Sequence, residues 1–215
     1  LLSIFITLYK IYDRRIELMR ILVTSDSHNS PARLIKLIGN YPDIKDIFFL
    51  GDGLSDIEKA RNIYPEKNYY LVGGNADIVV DAPRHRNMTT LSGKKIFYTH
   101  GGRYGLRAGL FRHIRYALMR EPDIVFFGHT HVTIIRMIDG VLFVNPGAVG
   151  KGRSGPYSTY AIVEITDSGE IEASIHKIMS YQQYILNHSK MLSETYSEND
   201  ETAENTQETC EGIQP

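Results

Sequence analysis

The chain is nearly free of cysteine. Among 215 residues there is one, Cys210, and there is no tryptophan at all. A lone thiol cannot close an intramolecular disulfide, so the fold must hold by burial and hydrogen bonding, and a reducing cytoplasm is the expected compartment. An excess of either charge is also missing. The 24 basic residues face 25 acidic ones, which excludes a global field for nucleic acid or membrane surfaces. No specific nucleic-acid module is expected. Long apolar runs are lacking as well. The best one, LLSIFITLYKIY at residues 1–12, is interrupted by Lys10 and is too short for a membrane span. It has neither the preceding basic residue nor the following small-residue cleavage site of a signal peptide.

What remains is ordinary for a single globular domain: 42% hydrophobic and 23% charged residues. Met19-Arg20 stands directly before the first clear strand pattern. Residues 1–18 are therefore expected to be an extension upstream of a natural start at Met19, with an amphipathic N-terminal helix as the alternative. A domain is expected over 19–187. From 188 the sequence turns polar and reads as an acidic disordered tail. Residues 191–215 hold seven acids and no Lys or Arg, which leaves a formal excess of +6 on the rest.

Periodicity supplies the elements. Residues 20–25, 46–52 and 69–77 read as strands, and 29–40 and 53–64 as helices between them. Ser30 is placed to cap the first helix, with Pro31 at its first position and Gly39 near its end. Residues 88–102 read as a hairpin turning at Ser92-Gly93. A helix follows over 104–122, with Leu106, Leu110, Ile114 and Ala117 as its apolar face. Closely spaced strands then continue to residue 178 and predict a β-meander. A β-α-β-α-β start with a β-rich finish predicts an α/β fold, a mixed αββα sandwich rather than a purely parallel sheet.

Polar residues with metal-ligand chemistry recur just past strand ends: Asp26, His28, Asp52, Asn75, His100, His129 and His131. The carboxyl ends of strands are where ligand sites form in open α/β sheets. Glycines accompany most of them (Gly51, Gly53, Gly73, Gly74, Gly101, Gly102, Gly128), as close backbone approach requires. Imidazole, carboxylate and amide oxygen together suit Mn, Fe, Zn or Ni. Seven ligands exceed the needs of one ion, so two divalent ions sharing a carboxylate is the economical reading.

In order, the motifs are DSH (26–28), GD (51–52), GN (74–75), HG (100–101) and GHTH (128–131). This series resembles the calcineurin-like metallophosphoesterases, and in particular their small single-domain prokaryotic phosphodiesterase branch. The segment FVNPGAVGKGR (143–153) is also similar to that branch. The resemblance covers roughly residues 19–180. It implies a four-layer αββα sandwich of two mixed β-sheets flanked by helices. It also implies that Asp26, His28 and His131 hold a first metal, that Asp52 bridges, and that Asn75, His100 and His129 complete a second. Mn is the first expectation for both, with Ni, Zn or Fe as alternatives. His85, His113, His176 and His188 match no motif and read as ordinary.

The implied activity is hydrolysis of a small phosphoester, most naturally a diester. A hydroxide bridging the ions would attack phosphorus in line. Asp52, Asn75 and His129 are the expected catalytic ligands, Asn75 as a contact to the transferring phosphoryl. Larger members carry a histidine directly after G-N. Here that residue is Ala76, followed by Asp77, which leaves no obvious leaving-group acid. Arg103, Arg107, Lys151 and Arg153 are candidate substrate contacts, since arginine grips phosphate through a bidentate fork. Arg112, Arg115 and Arg120 read as solvated surface. Two alternatives stand beside the diesterase: a phosphomonoesterase, and a non-catalytic protein-interaction scaffold similar to the small retromer subunit. The apolar meander also admits a homo-oligomer.

Overall fold

The computed structural model describes residues 18–78, 86–102, 117–150 and 157–179. Ten strands and two helices are assigned in these segments: β1 (Met19–Thr24), α1 (Pro31–Gly39), β2 (Asp46–Phe49), α2 (Leu54–Ile63), β3 (Asn68–Leu71), β4 (Arg86–Leu91), β5 (Lys94–Thr99), β6 (Ile124–Phe127), β7 (Ile134–Ile138), β8 (Val141–Asn145), β9 (Ser158–Ile165) and β10 (Ile171–Ile178). All lie within one compact unit that ends at Ile178. No helix among the described residues is long and apolar enough to cross a membrane.

Two five-stranded sheets result, ordered β10-β9-β1-β2-β3 and β4-β5-β6-β8-β7. Both are mixed. In the first, β1, β2 and β3 run parallel while β9 and β10 run antiparallel. In the second, β5, β6 and β8 are parallel, with β4 and β7 antiparallel at the edges.

Side-chain alternation builds the layers. Ile21, Val23 and Phe48 of the first sheet meet Ile96, Tyr98, Ile124, Phe126, Leu142 and Val144 of the second in one buried cluster. Leu22, Ile47, Phe49 and Ile162 point the other way, onto Leu34, Leu37 and Ile38 of α1 and Ile57 and Ala60 of α2. Phe97, Val125, Phe127 and Phe143 leave the second sheet outward and pack with Ala117. Phe48 is the hub between the sheets. Its ring stacks on Tyr70 at 4.5 Å and meets the edges of Phe126 and Tyr98 at 4.9 and 5.0 Å. The four-layer sandwich of two mixed sheets is thus the fold.

Three local expectations change. The C-terminal strands are not one meander. β8 inserts beside β6, and the β9–β10 hairpin crosses to the first sheet to pair with β1. The reason is burial: Ala161 and Val163 pack between the sheets and Ile162 packs toward the helices, so both faces of β9 need the cover that the first sheet has. The third strand ends at Leu71, and the chain from Val72 onward is a loop instead. Ser30 makes no side-chain cap; its backbone N–H donates to Asp56 Oδ2 at 3.0 Å. The expected helix over 104–122 lies mostly outside the described residues, but Ala117 on its predicted apolar face is buried.

Candidate metal centre

Parallel strands deliver their carboxyl ends to one edge, and in this chain every expected ligand follows such an end. Asp26 and His28 follow β1, Asp52 follows β2, Asn75 follows β3, His100 follows β5, and His129 and His131 follow β6. The loops are stitched together beyond the strands. Asp26 N–H donates to Gly51 O, His28 N–H to Asp52 O and Gly128 N–H to His100 O.

Six of the seven side chains converge as two groups of three, and Asn75 meets the second through His100. Asp26, His28 and His131 form one, and Asp52, His100 and His129 the other; within each, the ligand atoms lie within 4.8 Å of one another. In the first, His131 Nε2 is 3.1 Å from His28 Nε2 and 3.1 Å from Asp26 Oδ1. In the second, His100 Nε2 is 3.0 Å from Asn75 Oδ1 and 3.4 Å from Asp52 Oδ2. The same Asp52 Oδ2 lies 3.9 Å from His28 Nε2. One carboxylate oxygen therefore faces both groups.

Each carboxylate divides its work between its two oxygens. Asp26 Oδ2 accepts from Ser25 Oγ and from the His129 N–H, while Asp26 Oδ1 is buried with no hydrogen bond. Asp52 Oδ1 accepts the Ala76 N–H at 2.7 Å, and Oδ2 is left to the histidines. His100 Nδ1 donates to Leu50 O at 2.7 Å, which turns Nε2 toward the oxygens of Asn75 and Asp52. Buried acceptors pointed at one another need a proton or a cation between them. An orphaned carboxylate oxygen beside two imidazole nitrogens is a donor set for a divalent metal, so the residues fit the group.

Charge also couples these groups. Burial pushes the Asp52 carboxyl up, but the hydrogen bond and charge of His100 outweigh it and hold it below its usual value. Burial pushes His100 down, and the Asp52 bond with the charges of Asp26 and Asp52 more than reverses this. His129 is held below the ordinary imidazole value by burial and by the charge of His100.

The backbone is strained where the ligands sit. Asp26, His28, Asp52, His129 and His131 have φ of 54°, 43°, 58°, 68° and 59°. Left-handed backbone costs an ordinary L-residue about 1–2 kcal/mol, and it concentrates at functional sites. Glycine is required where loops press together. A Cβ on Gly74 would lie 2.1 Å from Asp52 Oδ1, and one on Gly128 would lie 2.1 Å from Ser25 Oγ.

Three further residues shape the site and were not singled out from the sequence. The Asp77 carboxylate accepts backbone N–H groups of Asp52, Gly53, Leu54 and Gly74, each at 2.8 Å. Asp56 accepts from Ser27 Oγ and the Ser30 N–H, fixing the loop after His28. Asn145, fully buried, donates from Nδ2 to Gly128 O and Thr130 Oγ1 and accepts the Gly147 N–H, which braces the loop carrying both His129 and His131. Only the last lay in a segment with a signal, the NPG of 145–147. In sequence, Asp56 falls inside the helix expected over 53–64 and Asp77 at the end of the strand expected over 69–77, with no role for either. Of the proposed substrate contacts, Arg103, Arg107, Lys151 and Arg153 lie outside the described residues. The described ion pairs of Asp26 and Asp52 are all with histidines.

Comparison with known proteins gives the family and the fold. Over 147 residues the chain is 27% identical to a probable metallophosphoesterase, YsnB, of Bacillus subtilis, covering 68% of this chain and 85% of that one. Among solved structures it resembles vacuolar protein sorting 29 of Cryptosporidium parvum, with a TM-score of 0.60, 16% identity, and 76% and 99% of the two chains covered. It also resembles an archaeal phosphodiesterase, with a TM-score of 0.56, 22% identity, and 74% and 100% covered. The model of the calcineurin-like phosphoesterase superfamily domain matches residues 19–168, the span that holds all seven expected ligand residues. The chain belongs to that superfamily.

Proposed function

We propose that the protein is a metal-dependent phosphodiesterase working through a dinuclear centre. The observation that carries this is Asp52 Oδ2, 3.9 Å from a histidine of one group and 3.4 Å from a histidine of the other. Asp26, His28, His131 and Asp52 would hold one ion; Asn75, His100, His129 and Asp52 would hold the second. Manganese suits this mixture of imidazole, carboxylate and amide, with nickel, zinc or iron as alternatives. Bound there, the ions supply Lewis acidity toward phosphoryl oxygens and a water acidified to serve as nucleophile.

The protein's own residues do the orienting. His100 is locked by Leu50 O, and both carboxylates are locked by backbone N–H groups. Asn75 is exposed, and with its Oδ1 turned to His100 its amide N–H groups remain for a phosphoryl oxygen. His28 is about a third exposed at its side chain, so the centre opens to solvent on the side of His28, Asn75 and Ala76. Asp77 is not a leaving-group acid, because four N–H bonds occupy its carboxylate. Protonation of the leaving group then falls to water, which favours diesters whose leaving groups need little help. An archaeal phosphodiesterase has the same fold. Arg103, Arg107, Lys151 and Arg153 remain proposed substrate contacts, and the reducing compartment inferred from cysteine usage remains the cytoplasm. Self-association of the β-rich half is likewise a proposal.

The scaffold reading draws on the vacuolar protein sorting neighbour, which shares only the fold. A complete and convergent ligand set favours the enzyme. The test is hydrolysis of an aryl phosphodiester and the matching monoester by chelator-stripped protein with Mn²⁺, Ni²⁺ or Zn²⁺ restored. We expect metal-dependent diester cleavage that Asn75→Ala and His129→Ala abolish. Faster monoester cleavage would assign a phosphomonoesterase. Two bound ions without turnover of either substrate would point to the scaffold.

A further inference from the structure

The loop that presents Asp52 has an unusual backbone. Gly51, Asp52 and Gly53 have φ of 96°, 58° and 147°, three consecutive residues on the left-handed side. Asp52 is the one that carries a Cβ. The loop then enters α2 with Gly53 at the N-cap, a residue that has no side chain to satisfy the first amides of the helix. Left alone, this turn would relax toward right-handed geometry and swing the Asp52 carboxylate.

Asp77 supplies what the turn lacks. Its Oδ1 accepts from the N–H groups of Gly53 and Leu54, and its Oδ2 from those of Asp52 and Gly74, all at 2.8 Å. A carboxylate has about four lone-pair positions, and here all are used. Every donor belongs to a segment that presents a ligand of the second group: Gly74 precedes Asn75, and the other three surround Asp52. The contact is returned, since Ala76 N–H donates to Asp52 Oδ1 at 2.7 Å. The two loops therefore hold each other through two aspartates, one turned to backbone and one turned to the centre. The negative charge also sits at the amino end of α2, where the helix dipole favours it.

Building on the dinuclear reading above, we infer that Asp77 is a positioning residue that sets the orientation of Asp52 and Asn75 and thereby the geometry of the second metal position. A simple helix cap would need only the Gly53 and Leu54 bonds. The bonds to Asp52 and Gly74 are what tie it to the centre.

The experiment uses the full chain, stripped of metal and titrated with Co²⁺, followed by visible absorption and equilibrium dialysis. Asp77→Asn is compared with Asp123→Asn, which makes the same substitution at a carboxylate that accepts the Lys95 N–H away from the centre. Asp77→Asn presents an amide NH₂ to N–H donors, so its grip is broken at near-constant volume. The expected result is a weakening of one of two Co²⁺ sites by about tenfold or more, with an altered cobalt spectrum and unchanged far-ultraviolet circular dichroism. In diester hydrolysis kcat falls while KM holds. Asp123→Asn leaves the cobalt spectrum as in wild type. If Asp77→Asn does not fold, Asp77→Glu, which keeps the charge but displaces both oxygens, is read against the same outcomes. Wild-type cobalt affinities and spectrum in the variant, with only a lower Tm, would overturn the inference and leave Asp77 as a cap. A wild-type chain that binds no Co²⁺ would instead overturn the metal reading on which it rests.

Discussion

The Nε2 atoms of His28 and His131 stand 3.1 Å apart, although 103 residues separate them in the chain. Two imidazoles approach so closely only when they share a proton or serve the same cation, and Asp26 Oδ1 is 3.1 Å from one and 3.7 Å from the other. A strained cluster of this kind costs stability unless something binds it, so added divalent metal is expected to raise the Tm.

Removing a ligand from one group should spare the other. His131→Ala is expected to retain about half of the wild-type metal after reconstitution and desalting, and His100→Ala likewise. Asp52→Ala should weaken both positions. Elemental analysis per chain measures all three.

A methyl group at Gly74 has nowhere to go. Its carbon would lie 2.1 Å from Asp52 Oδ1 and 2.4 Å from the Asp52 backbone nitrogen. Gly74→Ala should lose about 1–3 kcal/mol of stability through the forced shift. It should also lose about tenfold or more in diester turnover, because the shared ligand moves. Thermal unfolding and initial rates read the two effects separately.

Asn145 carries three bonds inside the core. Asn145→Ala strands the Gly147 amide, which costs about 1–3 kcal/mol when left unpaired, and leaves Gly128 O with the Thr130 N–H as its donor. Urea unfolding should show a lowered midpoint. Turnover should fall as well, since the loop of His129 and His131 loses its brace.

Alkaline pH tests the packing around β3. Burial pushes Tyr69 and Tyr70 up to about 12, with the Asp46 carboxylate adding to the effect at Tyr70. The unfolded chain releases these protons near the ordinary value of 10.0 while the folded chain still holds them. The unfolded state then binds fewer protons, so stability falls as pH rises above 10 and is untouched by these groups below it. Tyr70→Phe should flatten that decline in denaturant titrations between pH 9 and about 12.

Much of this was legible in the sequence because the signals were local. Continuous apolar runs such as ILV and IFF mark strands buried on both faces, and a candidate ligand placed just beyond each strand end survives a boundary error of a few residues. The candidate ligand set thus lay open although β3 proved shorter than its apolar run. Pairing was harder to read. Nothing local to TYAIVEI says that it returns to β1, because that choice depends on which edge still lacks a buried neighbour. The supporting residues were hidden for a related reason. Asp77 and Asp56 act on backbone amides from distant loops, and a carboxylate bound to backbone leaves no partner side chain to recognise.

The most direct test of the central claim is low-temperature electron paramagnetic resonance of the stripped chain titrated with Mn²⁺. If Asp52 is shared between two positions, the signal at saturation is that of an exchange-coupled pair, and Asp52→Ala uncouples it. A spectrum of isolated ions throughout the titration, or saturation at one ion per chain, would contradict the dinuclear centre.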